Sequence, residues 1–198
     1  MADLSQYVDL TEYNFLLTAA CIVFNPLFWN VVARWEYRTR ALSRCFGSPY
    51  IACYILGAVL IFLAMYRGHC FTAALSSQPR SWVLKRPEFY YLGVVLMAAG
   101  GALVTSSFLA LGFVGTYLGD YFGILMEKKV TGFPFNIMEN PMYWGSTANF
   151  LGLALLYSSP AGLMLTAEIA LCYKVAILFE GPFTEKIYRT KQRSKKSH

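Results

Sequence analysis

Residues 147–179 read TANFLGLALLYSSPAGLMLTAEIALCYKVAILF. These 33 residues would make one helix of about 50 Å at ~1.5 Å per residue, against a bilayer hydrocarbon core of about 30 Å. Near the middle stand Ser158, Ser159 and Pro160. That triplet reads as a turn followed by a residue suited to the first position of a new helix. Two helices, about 142–157 and 160–179, closing a tight hairpin therefore fit better than one tilted span. The alternative is a single span over 158–179, with 115–157 outside the membrane or lying on it.

The rest of the chain agrees with life in lipid. Of 198 residues, 57% are hydrophobic and 14% charged, whereas a soluble domain carries about a quarter charged residues. Pro49–Tyr66 is a charge-free run at the lower end of spanning length, and Leu92–Val114 is longer and equally free of charge. Tyr13–Ala33 is long enough to cross but contains Asn14, Asn25, Pro26 and Asn30, which leaves its crossing open. The runs predict an all-α integral membrane protein with four to five membrane-embedded helices, the last two a hairpin. The chain reads as a single domain over 1–198 without internal repeats, closed by a basic cytosolic tail at 185–198.

Charge placement discriminates between the topologies. With five crossings, 34–48, 115–141 and the tail share a side holding twelve Lys and Arg, against four in 67–91. With one final span the split is ten to six. The positive-inside rule favours the hairpin and a cytosolic C-terminus.

Composition also excludes whole classes of function. The net charge of +6 is concentrated in TEKIYRTKQRSKKSH beside an apolar run, the placement expected for contact with anionic lipid rather than nucleic acid. Five cysteines without CxxC spacing and only two histidines offer no zinc site or disulfide framework, so no metal is expected. The N-terminus has no basic region or cleavage site of a signal peptide, and the first apolar segment is expected to be retained.

One segment is too chemical for a connector: LGDYFGILMEKKVTGFPFNIMENPMYWGS, residues 118–146, with Asp120, Lys128, Lys129, four aromatics after residue 130 and an Asn-Pro turn. Asp120 at a water boundary reads as a solvated helix end or as an anion holding a cationic ligand. Phe133, Phe135, Tyr143 and Trp144 read as an interfacial belt or as faces for a sulfonium or quaternary ammonium. Pro141 suits the first turn of a helix. Further along, Glu180 reads as a solvated helix end or as a ligand to a ribose hydroxyl or a cation, with Gly181-Pro182 expected to stop the helix. Glu168 is costly within the membrane but sits in no motif, and Lys174 is near enough to the end to snorkel. The small residues Ala98 to Ala102 more often serve helix packing than ligand approach. Arg34, Arg38, Arg40 and Arg44 either hold lipid phosphate or fix topology.

Together, FNPLFWNVVARWEYRTRALSRCFGSPY (24–50), SSFLALGFVGTYLGDYFGIL (106–125) and FPFNIMENPMYWGSTANFLG (133–152) resemble the phosphatidylethanolamine N-methyltransferase family over nearly the whole chain. The broader superfamily includes the isoprenylcysteine carboxyl methyltransferases, whose Arg-His-Pro-x-Tyr-x-Gly element stands here as Glu139 to Gly145, keeping Pro141, Tyr143 and Gly145. The resemblance implies stepwise transfer of three methyl groups from S-adenosyl-L-methionine to phosphatidylethanolamine, through its mono- and dimethyl forms, to phosphatidylcholine. It also implies a multi-pass location in the endoplasmic reticulum and associated mitochondrial membranes.

Two cofactor elements associated with the family, a Gly-x-Gly and an acidic pair, fall here on Ala98, Ala99 and Gly100 and on Glu180 and Gly181. Each departs from the pattern, since the first glycine is Ala98 and the second acid is Gly181. In the hairpin topology 98–100 begin a helix on the membrane face opposite Glu180. In the single-span topology the two share a face, but LGDYFG and ENPMYWG are then separated. The implied reaction needs a neutral amine, and Asp120 is the candidate to hold it and accept its proton, with Tyr143 as a second partner. The rival readings are carboxyl methylation of prenylated proteins and a non-enzymatic scaffold or channel subunit.

Overall fold

The computed structural model describes residues 7–127 and 130–196. Among these residues six α-helices follow one another: α1 (Tyr13–Thr39), α2 (Ala41–Cys45), α3 (Pro49–Ser77), α4 (Pro87–Thr116), α5 (Pro141–Leu156) and α6 (Pro160–Lys196). No strand is present among the described residues. Four of the helices are long and apolar enough to cross a membrane: Tyr13–Thr39, Pro49–Ser77, Pro87–Phe122 and Pro160–Thr190. The fifth partner, α5, is a 16-residue helix.

The hairpin expected from Ser158-Ser159-Pro160 is present. Ser158 adopts a left-handed conformation (φ 53), the Ser159 hydroxyl accepts the Gly162 N–H at 3.1 Å, and Pro160 opens α6. Proline also opens α3, α4 and α5, where its missing N–H costs no helical hydrogen bond.

Helix α1 runs unbroken through its polar residues because neighbours receive them. Asn25 Nδ2 donates to the Leu63 carbonyl at 3.3 Å, and Asn30 Nδ2 donates to the Pro26 carbonyl at 3.1 Å. The helix ends at Arg40, left-handed at φ 54. Just before that end, buried Glu36 accepts the N–H groups of Leu42 (2.7 Å) and Ser43 (3.3 Å) and the Ser43 hydroxyl (2.5 Å). A carboxylate on these otherwise unsatisfied N–H groups caps the short α2.

Two expected boundaries are corrected. Helix α3 does not end at Tyr66 but continues to Ser77, so Arg67 lies inside the bundle rather than in a connecting loop. It is buried, donates from Nη2 to the Tyr173 hydroxyl at 2.7 Å, and lies 5.1 Å over the Phe150 ring. Helix α6 does not stop at Gly181-Pro182 but extends to Lys196. Pro182 removes one hydrogen bond. The continuation is held by tertiary contacts: Phe183 stacks on Tyr121 at 5.1 Å, the Thr184 hydroxyl donates to Asp120, Ile187 is buried, and Tyr188 Oη accepts the Met126 N–H at 3.3 Å. The expected tail at 185–198 thus begins as helix. His198 and the pair Lys128 and Lys129 lie outside the described residues.

Contacts between helix ends fix the up-and-down order. At one end Asp9 N–H donates to Gln78 Oε1 at 2.8 Å, and Ser81 N–H donates to the Ser158 carbonyl at 2.9 Å. The other end gathers Arg40, Tyr121, Asp120 and Thr184. A core of Phe15, Ile22, Phe71, Leu75, Leu165 and Ile169 fills the space between α1, α3 and α6, while Phe62, Leu109, Leu171 and Leu178 stay outward. Apolar side chains facing out, over helices whose backbone groups are satisfied internally, are what a bilayer requires.

Helix α5 meets α4 through paired glycines. A Cβ on Gly100 would lie 2.5 Å from the Gly145 carbonyl oxygen and 2.5 Å from Asn149 Oδ1. Gly93 and Gly152 oppose one another in the same way. This is small-residue packing of membrane helices at close range.

Candidate active site at one end of the bundle

Glu180 lies about 20 residues into α6, roughly 30 Å from its start at ~1.5 Å per residue. It therefore meets the membrane boundary on the end opposite the hairpin turn. Its carboxylate accepts from three donors on two other helices, which leaves one of its about four acceptor sites open. Trp29 Nε1 and Asn30 Nδ2 of α1 donate to Oε1 at 2.5 and 2.9 Å, and the Tyr143 hydroxyl of α5 donates to Oε2 at 2.5 Å. Asp120 lies on the short turn Gly119–Phe122 that follows α4. Its Oδ2 accepts the Thr184 hydroxyl at 2.9 Å, and Oδ1 accepts the Tyr121 N–H at 3.1 Å. Thr184 is one helical turn beyond Glu180, so the two carboxylates are neighbours along α6.

Among the described residues neither carboxylate forms an ion pair; the salt bridges found join Arg86 with Glu88 and Arg189 with Glu185. Arg34, one turn past Asn30, turns elsewhere. It donates to the Phe179 carbonyl at 2.8 Å and lies 4.6 Å over the Phe183 ring. Two half-buried acids without ion-pair partners favour a cationic neighbour.

Aromatic rings wall the site. Tyr143 packs against Trp29 (6.4 Å) and Tyr173 (4.9 Å), and Tyr121 stacks on Phe183. Tyr173 continues the polar chain inward, with its hydroxyl 3.2 Å from Ser146 Oγ and bonded to Arg67. Tyr143, Trp144, Thr147, Tyr173 and Lys174 line a shallow crease between α5 and α6 next to the site, with no room for a water molecule. Two polar atoms in the site, Asn30 Oδ1 and the Tyr121 hydroxyl, are buried without a hydrogen-bond partner among the described residues. Orphaned polar atoms beside unpaired carboxylates are consistent with a polar ligand completing the site.

The structure brings together Asp120, Tyr143 and Glu180. Gly181 is next to them but exposed, with nothing near its Cα face. Gly100 does not reach the site. Because α4 starts at Pro87 rather than near residue 92, Gly100 lies mid-helix against Gly145, two residues past Tyr143, and not on the opposite membrane face. Its open side is filled by α5, and Ala98 and Ala99 are exposed on the outer surface of α4. Trp144 and Phe133 point outward, about half exposed.

Sequence reasoning missed Trp29, Tyr121, Tyr173 and Thr184. The usable signal was Asn30, a polar residue in a membrane-grade run; its partner 150 residues away depends on how α1 crosses α6.

Comparison with known proteins adds a second line. The model of a family described as phospholipid methyltransferase matches residues 89–191. The chain is 60% identical to the phosphatidylethanolamine N-methyltransferase of Rattus norvegicus, with 96% of each chain covered. It is 50% identical to the phosphatidyl-N-methylethanolamine N-methyltransferase of Emericella nidulans, covering 98% of this chain and 95% of that one. The protein of that same name in Saccharomyces cerevisiae is 46% identical, covering 96% and 92%. No solved structure matches the chain.

Proposed function

The chain belongs to the phospholipid methyltransferase family, and from that premise we propose that it methylates the amine of phosphatidylethanolamine stepwise, through the mono- and dimethyl forms, to phosphatidylcholine. The observation that carries the reading is the meeting of Glu180, Asp120 and Tyr143, from three separate parts of the chain, at one end of the bundle.

The methyl donor proposed is S-adenosylmethionine, which supplies an electrophilic methyl group on a sulfonium. Unpaired carboxylates and aromatic faces are the residue types such a cation calls for, so the residues present fit it. In this reading Glu180 is the principal cofactor ligand, held rigid by Trp29, Asn30 and Tyr143, with Gly181 beside it. Ala98, Ala99 and Gly100 act by seating α5, which carries Tyr143, and not by touching the cofactor.

Asp120 holds the headgroup amine and takes its proton, because only a neutral amine has a lone pair to offer. Tyr143 orients Glu180 through its hydroxyl. As methyl groups accumulate the amine loses N–H groups, and the faces of Tyr143, Trp29 and Tyr121 take over its retention. Positioning donor and acceptor in line is the larger share of the task. In this reading a lipid reaches the site from the bilayer, while a water-soluble donor arrives from the aqueous end. The basic residues at this end, Arg34 to Arg44 and those of α6, support a cytosolic placement. The multi-pass membrane is proposed to be the endoplasmic reticulum and the mitochondrial membranes associated with it.

The test is radiolabelled methyl transfer by membranes carrying the chain, with products separated by headgroup. Labelled mono-, di- and trimethylated phosphatidylethanolamine is the expected result. Label in protein carboxyl esters would point to prenylated substrates, and no label with folded protein present would point to a scaffold.

A further inference from the structure

The mechanism above leaves two buried atoms unused. Tyr121 is 1% exposed, yet its hydroxyl has no hydrogen-bond partner among the described residues; Asn30 Oδ1 is likewise enclosed and unpartnered among them, although Asn30 Nδ2 is committed to Glu180. Tyr121 follows Asp120 in the chain and donates its N–H to it at 3.1 Å, and Thr184, which also donates to Asp120, stands one turn from Glu180. A buried polar atom left unmade costs ~1–3 kcal/mol; each of these two stands beside one of the acids, Asn30 bonded to Glu180 and Tyr121 to Asp120, so both call for a partner.

The chemistry of that partner follows from the atoms. Asn30 Oδ1 only accepts. The phenol accepts as well as donates. Two carboxylates without counter-ions surround them, and the arginine that might have neutralised one is turned toward Phe179 and Phe183. A phosphate or carboxylate would be repelled, and a neutral hydroxyl would leave the acids unbalanced. An alkylammonium group donates to both orphan atoms and offsets the charge.

We propose that the Tyr121 hydroxyl and Asn30 Oδ1 form an ammonium-binding contact between the two carboxylates. The inference deepens the proposed function and rests on it for the two sources of such a group: the ethanolamine headgroup and the amino-acid ammonium of S-adenosylmethionine. The Tyr121 hydroxyl is then a ligand contact in its own right, beside the ring face.

Tyr121→Phe is the clean probe. It deletes one hydroxyl that no protein group uses and keeps the ring stacked on Phe183, so the fold melts as the wild type does. Wild type and variant are compared in lipid nanodiscs for the Kd of S-adenosylmethionine and for methylation rates with phosphatidylethanolamine and its mono- and dimethyl forms. If the contact serves the headgroup, the variant slows the unmethylated and monomethyl lipids about tenfold, slows the dimethyl lipid less, and leaves the Kd unchanged. If it serves the cofactor, the Kd rises about tenfold and all three lipids slow alike. A variant within twofold of wild type in Kd and in all three rates overturns the proposal, leaving the hydroxyl to water. Wild-type protein that binds S-adenosylmethionine but methylates no lipid would sink the proposed function instead, and the Kd comparison would then decide on Tyr121 alone.

Discussion

Helix α5 has two faces that work by opposite means. Toward α4 it presents Gly145, Gly152 and the Asn149 amide to Gly100 and Gly93, with backbone close against backbone. Toward α1, α3 and α6 it presents Tyr143, Ser146 and Phe150 to Glu180, Tyr173 and Arg67. The first face fixes where α5 stands; the second uses that placement to hold a carboxylate. A small-residue motif and a polar cluster can therefore matter to one reaction for different physical reasons, and the two are separable by experiment.

The largest effect belongs to the glycine face. Gly100→Val is expected to destroy the α4–α5 contact, since even a Cβ would lie 2.5 Å from a backbone oxygen that cannot swing aside. Overpacking of this kind costs ~1–3 kcal/mol or more, and the readout is loss of folded protein in detergent. A folded Val variant without activity would break the comparison, because Gly100 would then act on a ligand directly.

On the polar face the effects are smaller and fall on activity. Tyr143→Phe removes one of the three donors to Glu180 and is expected to lower methyl transfer about tenfold with the protein still folded. Tyr173→Phe, one step further from Glu180, leaves Arg67 without its hydroxyl partner. It should lower stability by about 1–3 kcal/mol, measured as a lower Tm, with a lesser loss of rate. The smallest effect is assigned to Ala99→Leu. Its side chain faces outward on α4, so stability and cofactor affinity should match wild type. Weakened cofactor binding in that variant would restore 98–100 as a direct cofactor element.

Much of the architecture was legible in the sequence because it was local. Ser158, Ser159 and Pro160 spell a turn and a restart, and Pro49 and Pro141 start helices where their missing N–H is harmless. The misreadings have one cause, which is that hydropathy stops at a charge or a proline while tertiary contacts do not. Arg67 seemed to end a span, but the hydroxyl of Tyr173 and two aromatic faces admit it to the interior. Gly181-Pro182 seemed to end α6, but Phe183, Thr184 and Tyr188 find partners beyond it. Within the site, Glu180, Asp120 and Tyr143 were visible as polar or aromatic residues at the membrane edge. Trp29 and Tyr121 were not, since nothing about an aromatic in an aromatic-rich chain reveals that it faces a carboxylate.

The central claim is a division of labour between two neighbouring acids, with Glu180 for the cofactor and Asp120 for the amine. Purified Glu180→Gln and Asp120→Asn chains, assayed side by side for S-adenosylmethionine affinity and for methyl transfer to phosphatidylethanolamine, test it most directly. The account predicts that Glu180→Gln weakens cofactor binding about tenfold or more. Asp120→Asn should bind the cofactor within twofold of wild type yet transfer methyl groups about 100-fold more slowly, the lower end of what a general base contributes. A Glu180→Gln chain that binds the cofactor as wild type does, or an Asp120→Asn chain that methylates lipid at the wild-type rate, would contradict it.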